Sequence, residues 1–318
     1  MVVALVSSAL RRMALAAVIV LTPVMAQAGW SEGAPVADAR AFGSAAAQGD
    51  TVYVAGGGAL AGPVSDFAAY DLVGDIWRPL PTMPVGRQNF GMAVAADGGV
   101  YVSGGFAGDA FDAPASDFWR YDITNAVWVR MADMPAGRAR HGMVAINGDL
   151  YVVGGEGPNA SRVFVYDTFK AVWRDLGADL PTPRTDLGVV AANGRVMVLG
   201  GRTGSGVTAQ VHVYDPASGR WSRGADLPMP LADAAVGTVN GTIHVAGGRS
   251  NDPMRTFKEH YVLAAGSQSW RTSEALPLPR LGAAAAGTAR GFLVIGGSGG
   301  AGVFSVFTAS DVVDIYRP

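Results

Sequence analysis

Arg140, His141, Glu156, Arg162, Asp186, Arg202, Asp233, Arg249 and Arg255 are the residues of this chain whose types could do chemistry together. Guanidinium forks bind carboxylates through paired, charge-assisted hydrogen bonds. A carboxylate or imidazole beside them could move a proton. Much other chemistry is excluded. Cysteine is absent, which removes disulfides, thiolate metal sites and cysteine nucleophiles. Lysine occurs only at Lys170 and Lys258, so almost no amine is left for Schiff-base formation. No zinc-ligand spacing exists, and Asp109, Asp112 and Asp117 lack the spacing of an EF-hand loop. His212 and His244 fall within apolar strand patterns as packing residues, and His260 has no partner at ligand spacing. No metal and no cofactor is expected. Gly296-Gly297-Ser298-Gly299-Gly300 matches G-x-S-x-G, but no helical pattern follows it. A nucleophile elbow needs a strand-to-helix turn, so this run reads as a strand end.

The elements that must position these residues are short strands. Six glycine pairs end hydrophobic runs, beginning at Gly56, Gly104, Gly154, Gly200, Gly247 and Gly296, with spacings of 48, 50, 46, 47 and 49. Each pair is followed by a strand ending in Tyr70, Tyr121, Tyr166, Tyr214, Tyr261 or Tyr316, the first four of them Tyr-Asp. A Trp comes next at 77, 128, 173, 221 and 270, then Leu-Pro or Met-Pro, then Arg87, Arg138, Arg184 or Arg280. The fifth copy has Leu231 in place of the Arg. The last copy lacks its Trp, and the N-terminal region supplies Trp30, Pro35 and Arg40 without a preceding unit. A unit of this length with about four strands predicts an all-β, six-bladed β-propeller, its last blade closed by the N-terminal strand. Closure of this kind protects the edges that an open array would expose to aggregation. Small residues on the innermost strands, as in Gly282–Gly287, suit a crowded axis. Asp97-Gly98, Asn147-Gly148, Asn193-Gly194 and Asn240-Gly241 predict type I′ hairpins between the two inner strands.

The 318-residue chain has a net charge of −2 and is 49% hydrophobic, which excludes disorder and argues against nucleic-acid binding by bulk charge. Residues 1–28 carry no acid, and Arg11-Arg12 precede the apolar run Met13–Met25 and Ala26-Gln27-Ala28. That is the layout of a signal peptide cleaved after Ala28. The run is 13 residues long, against the roughly 20 that span a bilayer as a helix. The mature domain, residues 29–318, is expected in the periplasm or secreted, with no stable membrane insertion.

The pattern GG…YD…W…P…R resembles the kelch repeat, and the resemblance covers essentially all of residues 29–318. In this layout the loop before the innermost strand and the loop after the second strand open on one face, around the channel mouth. The residue two past the repeat Arg is Phe42, Asn89, Arg140, Asp186, Asp233 and Gly282 in turn. The residue after the glycine pair is Gly58, Phe106, Glu156, Arg202, Arg249 and Ser298. Charge thus gathers over blades 3 to 5, and a concave mouth with convergent polar groups is the default ligand site.

The resemblance implies two functions. Kelch adaptors grip acidic peptides with arginines at such loop positions, which Arg138-Ala139-Arg140, Arg202 and Arg249 match. On this reading the chain is a module binding a protein or an anionic small ligand. The alternative is an enzyme, because the family includes periplasmic N-acetylneuraminate mutarotases. Their active loop resembles G-E-x5-R, matched here by Gly155-Glu156 and Arg162. Glu156 would then be the base, Arg162 would hold the substrate carboxylate, and His141 is a further catalytic candidate. Kelch copper-radical oxidases require a Cys-linked Tyr and are excluded by the absence of Cys.

Overall fold

Short β-rich runs separated by turn residues form up-and-down meanders of four strands. The computed structural model describes residues 28–107, 113–252, 255–300, 305 and 307–318. Residues 1–27, with nearly all of the expected signal peptide, lie outside the described residues, as do Asp109 and Asp112. Every described element is a strand, and six four-stranded antiparallel sheets form the blades. Their innermost strands are Ser44–Gln48, Gly91–Val94, Gly142–Ile146, Gly188–Ala192, Ala235–Val239 and Ala284–Thr288. Each of these strands touches the next, and the last touches the first, so the ring is closed.

The axis is crowded enough to require small residues. A Cβ on Gly287 would sit 2.1 Å from the Thr238 carbonyl oxygen, and one on Gly142 would sit 2.2 Å from the Val189 side chain. Asn147-Gly148, Asn193-Gly194 and Asn240-Gly241 have positive φ at both residues, as type I′ turns demand. Asp97-Gly98 does not follow that expectation, because only Gly98 has positive φ. There Gly98 N–H donates to Ala95 O and Ala95 N–H to Gly99 O, both at 3.0 Å, making a three-residue loop. Asp97 is free to accept from Tyr101 and Arg120 instead.

The closing strand is Gly29–Gly33. It pairs antiparallel with Val313–Arg317, with Trp30 opposite Tyr316, and forms the outer edge of blade 6. The six apolar clusters each lie between two neighbouring blades. The repeat Trp residues work at these seams. Trp77 donates its indole N–H to Ala34 O, Trp128 to Pro81 O, Trp173 to Ala132 O, Trp270 to Ala225 O and Trp30 to Glu274 O, at 2.7–2.9 Å. Each acceptor belongs to the segment after the outer strand of the preceding blade. Trp221 is the exception: its buried Nε1 has no partner. The preceding outer strand, Val172–Asp179, is longer than the others and passes through a bulge. Strand thus runs through the stretch where other blades offer a free carbonyl.

The repeat Arg and the glycine pair turn out to be one structural device. The guanidinium donates to the carbonyl of the first glycine in its own blade: Arg40 to Gly56, Arg87 to Gly104, Arg138 to Gly154, Arg184 to Gly200 and Arg280 to Gly296. The N–H of the second glycine donates to the backbone carbonyl at the repeat Arg position of the next blade, at 2.8–2.9 Å all round the ring. Leu231 serves the backbone half of this scheme as well as an arginine does, because its carbonyl accepts from Gly201 N–H.

Candidate functional site

The channel mouth is lined by a second ring, made by the residues two past the repeat Arg. Phe42, Asn89, Arg140, Asp186, Asp233 and Gly282 all have φ between 53° and 60°. A non-glycine residue in this region costs roughly 1–2 kcal/mol, less for Asn and Asp. The strain is offset by a circular set of backbone hydrogen bonds. Phe42 N–H donates to Gly282 O, Asn89 to Phe42, Arg140 to Asn89, Asp186 to Arg140, Asp233 to Asp186 and Gly282 to Asp233, at 2.6–3.1 Å. The ring surrounds a cavity of about 180 Å³.

The residue after each glycine pair is held beside this ring by antiparallel pairing with the residue one past the repeat Arg. Glu156 pairs with Ala139, Arg202 with Thr185 and Arg249 with Ala232. That local geometry brings three cations onto one carboxylate. Asp186, whose side chain is 1% exposed, receives Arg140 Nη1 at 3.3 Å and Arg249 Nη2 at 3.2 Å. Thr185 Oγ1 donates to it at 3.1 Å, and Arg202 Nε stands at 3.9 Å. Arg249 also donates through Nε to Asp233, and Arg140 Nε lies 3.3 Å from Glu156 Oε1. Three guanidinium groups thus meet three carboxylates, so the sector is balanced in formal charge. Burial pushes the Asp233 carboxyl up to about 7, Asp186 beside it adds to the rise, and Arg249 opposes it.

Comparisons with known proteins agree with this architecture. Residues 25–155 and 130–297 match the KLHDC2/KLHL20/DRC7 Kelch-repeats domain family. The chain belongs to the kelch-repeat family. Kelch-like protein 35 of Mus musculus is 34% identical over 130 residues, covering 39% of this chain and 21% of that protein. Kelch-like protein 30 of Mus musculus is 32% identical over 106 residues, 33% of this chain and 18% of that protein. Kelch-like protein terF of Aspergillus terreus is 29% identical over 136 residues, 40% of this chain and 30% of that protein. The matches thus span less than a third of these relatives' own lengths. The solved structure of YjhT superposes with a TM-score of 0.75 at 19% identity, covering 88% of this chain and 95% of that one, a likeness of fold.

The kelch propeller separates the residues singled out above. Arg140, Glu156, Asp186, Arg202, Asp233 and Arg249 come together at the mouth. Arg162 does not: it pairs with Asp175 at 3.3 Å and Asp179 at 3.4 Å on the outer strand of blade 3. Glu156 faces Arg140 instead, so the two ends of the G-E-x5-R match engage different partners. Arg255 lies over the ring of Phe257, 4.9 Å from its centre. Arg138 is fully buried, and its guanidinium donates to the carbonyls of Gly154, Asn159 and Arg162. It is a blade staple and is out of a ligand's reach.

His141 lines the cavity but is buried, with Nε2 2.9 Å from Ser103 Oγ. Burial, with Arg138 nearby, holds its imidazole down at about 3. It is neutral at ordinary pH and too weak a base to suit proton transfer there. Asp117 is spent on Arg87, which it accepts from at 2.6 Å. Ser298, in the G-x-S-x-G run, is buried at a strand end and bonds Thr308 Oγ1 at 2.7 Å. His244 and His260, unconnected on spacing alone, meet at the seam of blades 5 and 6 with His244 Nδ1 3.0 Å from His260 Nε2. Among the described residues no cluster of ligating side chains could hold a metal ion, and no helix is long and apolar enough to cross a membrane.

Proposed function

We propose that this kelch propeller is a non-catalytic binding module that holds a protein or an anionic small ligand at its channel mouth, over blades 3 to 5. One observation carries the reading: Arg140, Arg202 and Arg249 converge at a concave mouth to whose lining blades 1 and 6 contribute no charged side chain. Arg140 and Arg202 are 33% and 37% exposed, so an incoming carboxylate can reach both. A charge-assisted hydrogen bond contributes roughly 1.5–3 kcal/mol, about tenfold or more in affinity. Arg202→Ala and Arg140→Ala should each weaken binding of a tetraglutamate peptide or of N-acetylneuraminate by about that factor, read by calorimetric titration. Arg202 makes the loosest contact of the three, so Arg202→Ala should leave folding within about 0.5 kcal/mol of the parent. Undiminished affinity in both variants would place the ligand elsewhere.

The mutarotase reading has less support, because Glu156 and Arg162 point to separate partners and His141 is a weak base. Its test is anomer exchange of N-acetylneuraminate followed by NMR. Exchange by the parent above the spontaneous rate, lost in Glu156→Gln, would establish the enzyme in place of the module.

Export belongs to the same proposal. The Arg pair, the 13-residue apolar run and Ala26-Gln27-Ala28 support cleavage after Ala28. Mass spectrometry of protein from producing cells should find Gly29 at the N-terminus. A species beginning at Met1 and confined to the cytoplasm would overturn it.

A further inference from the structure

We propose that Glu156 is an internal stand-in for a ligand carboxylate, and that a carboxylate-bearing ligand enters the site by displacing it from Arg140. The inference rests on the binding-module reading above and says how that site is kept closed.

Arg140 Nε is buried and makes no hydrogen bond. Glu156 Oε1 is only 3.3 Å away, so the two attract as charges without an aligned N–H···O bond. A donor left unmade in a buried place is rare and calls for an acceptor. Glu156 covers that donor without satisfying it. A carboxylate free to choose its approach could do both.

The rest of the guanidinium is already fixed. Nη1 donates to Asp186 at 3.3 Å, and Cζ lies 5.7 Å from the centre of the Phe106 ring. Removing the Glu156 side chain therefore leaves Arg140 in place with one edge open. Glu156 is also the acid best able to leave. Its side chain is 42% exposed, against 1% for Asp186 and 6% for Asp233. Its backbone is pinned to Ala139 by two hydrogen bonds, of 2.8 and 3.1 Å, so only the side chain must turn. Partly exposed ion pairs hold their partners by a factor of up to about five, which an external carboxylate can overcome.

The ligand class follows from the vacated space: one carboxylate, from an acidic peptide side chain or a sugar acid, on the Nε edge of Arg140. The test titrates a tetraglutamate peptide and, separately, N-acetylneuraminate into the parent, Glu156→Gln, Glu156→Ala and Glu156→Ala/Arg140→Ala proteins at low salt. Loss of the competitor should tighten binding of the matching probe about fivefold in Glu156→Ala and by less in Glu156→Gln, which still covers the donor. The gain should vanish in the double variant. The probe that responds identifies the source of the carboxylate. Equal affinity in parent and Glu156 variants would overturn the stand-in while leaving the binding module intact. Weaker binding in the Glu156 variants would show Glu156 touching the ligand and would also overturn it. No binding of either probe to any variant would end both readings.

Discussion

A chain lacking Gly29–Gly33 is expected to lose the cooperative unfolding transition of the whole propeller. The deleted strand pairs with Val313–Arg317 along its full length. Each lost strand hydrogen bond costs about 1 kcal/mol net. Trp30 adds more, because its ring sits 5.2 Å from His260, 5.3 Å from Tyr316 and 6.1 Å from Phe292, and its N–H is bonded to Glu274 O. Truncating a packed Trp costs roughly 3–5 kcal/mol. The combined loss reaches the roughly 5–15 kcal/mol that holds a domain folded. It also bares Val313–Arg317 as an unpaired edge, which invites aggregation. Trp30→Ala alone should lower the melting temperature by roughly 2–4 °C per kcal/mol lost. Calorimetry checks both variants. A truncated chain melting at the parent temperature would mean that the ring closes without this strand.

That closure was legible before any coordinates, because a repeat is a redundant signal. A missing Trp in the last copy and a surplus Trp30 at the start describe one strand from both sides. The glycine pair and the repeat Arg were legible as landmarks, but their joint role was not. Nothing in the spacing says that the Arg side chain binds its own blade while its carbonyl binds the previous one. The left-handed ring could have been suspected, since Asn89, Asp186, Asp233 and Gly282 are types that tolerate positive φ.

Charge was the hardest feature to read. Counting Arg140, Arg162, Arg202, Arg249 and Arg255 suggests a cationic sector. Two of these turn away, Arg162 to Asp175 and Asp179, and Arg255 to Phe257. The other three are matched by Glu156, Asp186 and Asp233. A side chain at the end of a loop can point to the axis or to the rim, and sequence position alone does not distinguish them. Partners were missed for the same reason at His244 and His260. They are 16 residues apart but become diagonal neighbours once Ala246 pairs with His260 and His244 with Val262.

Those buried histidines set the remaining expectation: the propeller should lose stability steeply as pH falls from about 6.5 to 4. His260 Nδ1 faces the Glu274 carbonyl at 3.1 Å, so it must carry the proton, and Nε2 is left to accept from His244 Nδ1–H. The far nitrogen of His244 is buried without a partner. A proton added to His260 Nε2 would set two donors against each other. One added to His244 Nε2 would be buried with no acceptor. Trp30, Phe292 and Tyr316 pack around the pair and offer no countercharge. Burial accordingly depresses both imidazoles to about 4, each also affected by its neighbour: His244 by His260, while the Glu274 carbonyl partly offsets the fall at His260. His212, buried beside Arg184, is held at about 4, and His141 at about 3. The unfolded chain binds protons at all four histidines near 6.5, the folded chain only well below that, so acid favours unfolding throughout this window. A fall from 6.5 to about 4 corresponds to about 3 kcal/mol for one buried histidine. Asp233 acts in the opposite sense: raised to about 7, it takes up a proton in the folded state first and adds stability as pH drops from 7 to 3.8. Asp314, also raised by burial, acts in the same sense, but the four histidines outnumber the two carboxyls and leave a net loss as pH falls. Denaturant midpoints between pH 7 and 4 measure the slope. His244→Phe, which can keep stacking on Phe292, should flatten it by one histidine's share. An unchanged slope would mean that His244 titrates alike in the folded and unfolded states and that the acid response arises elsewhere.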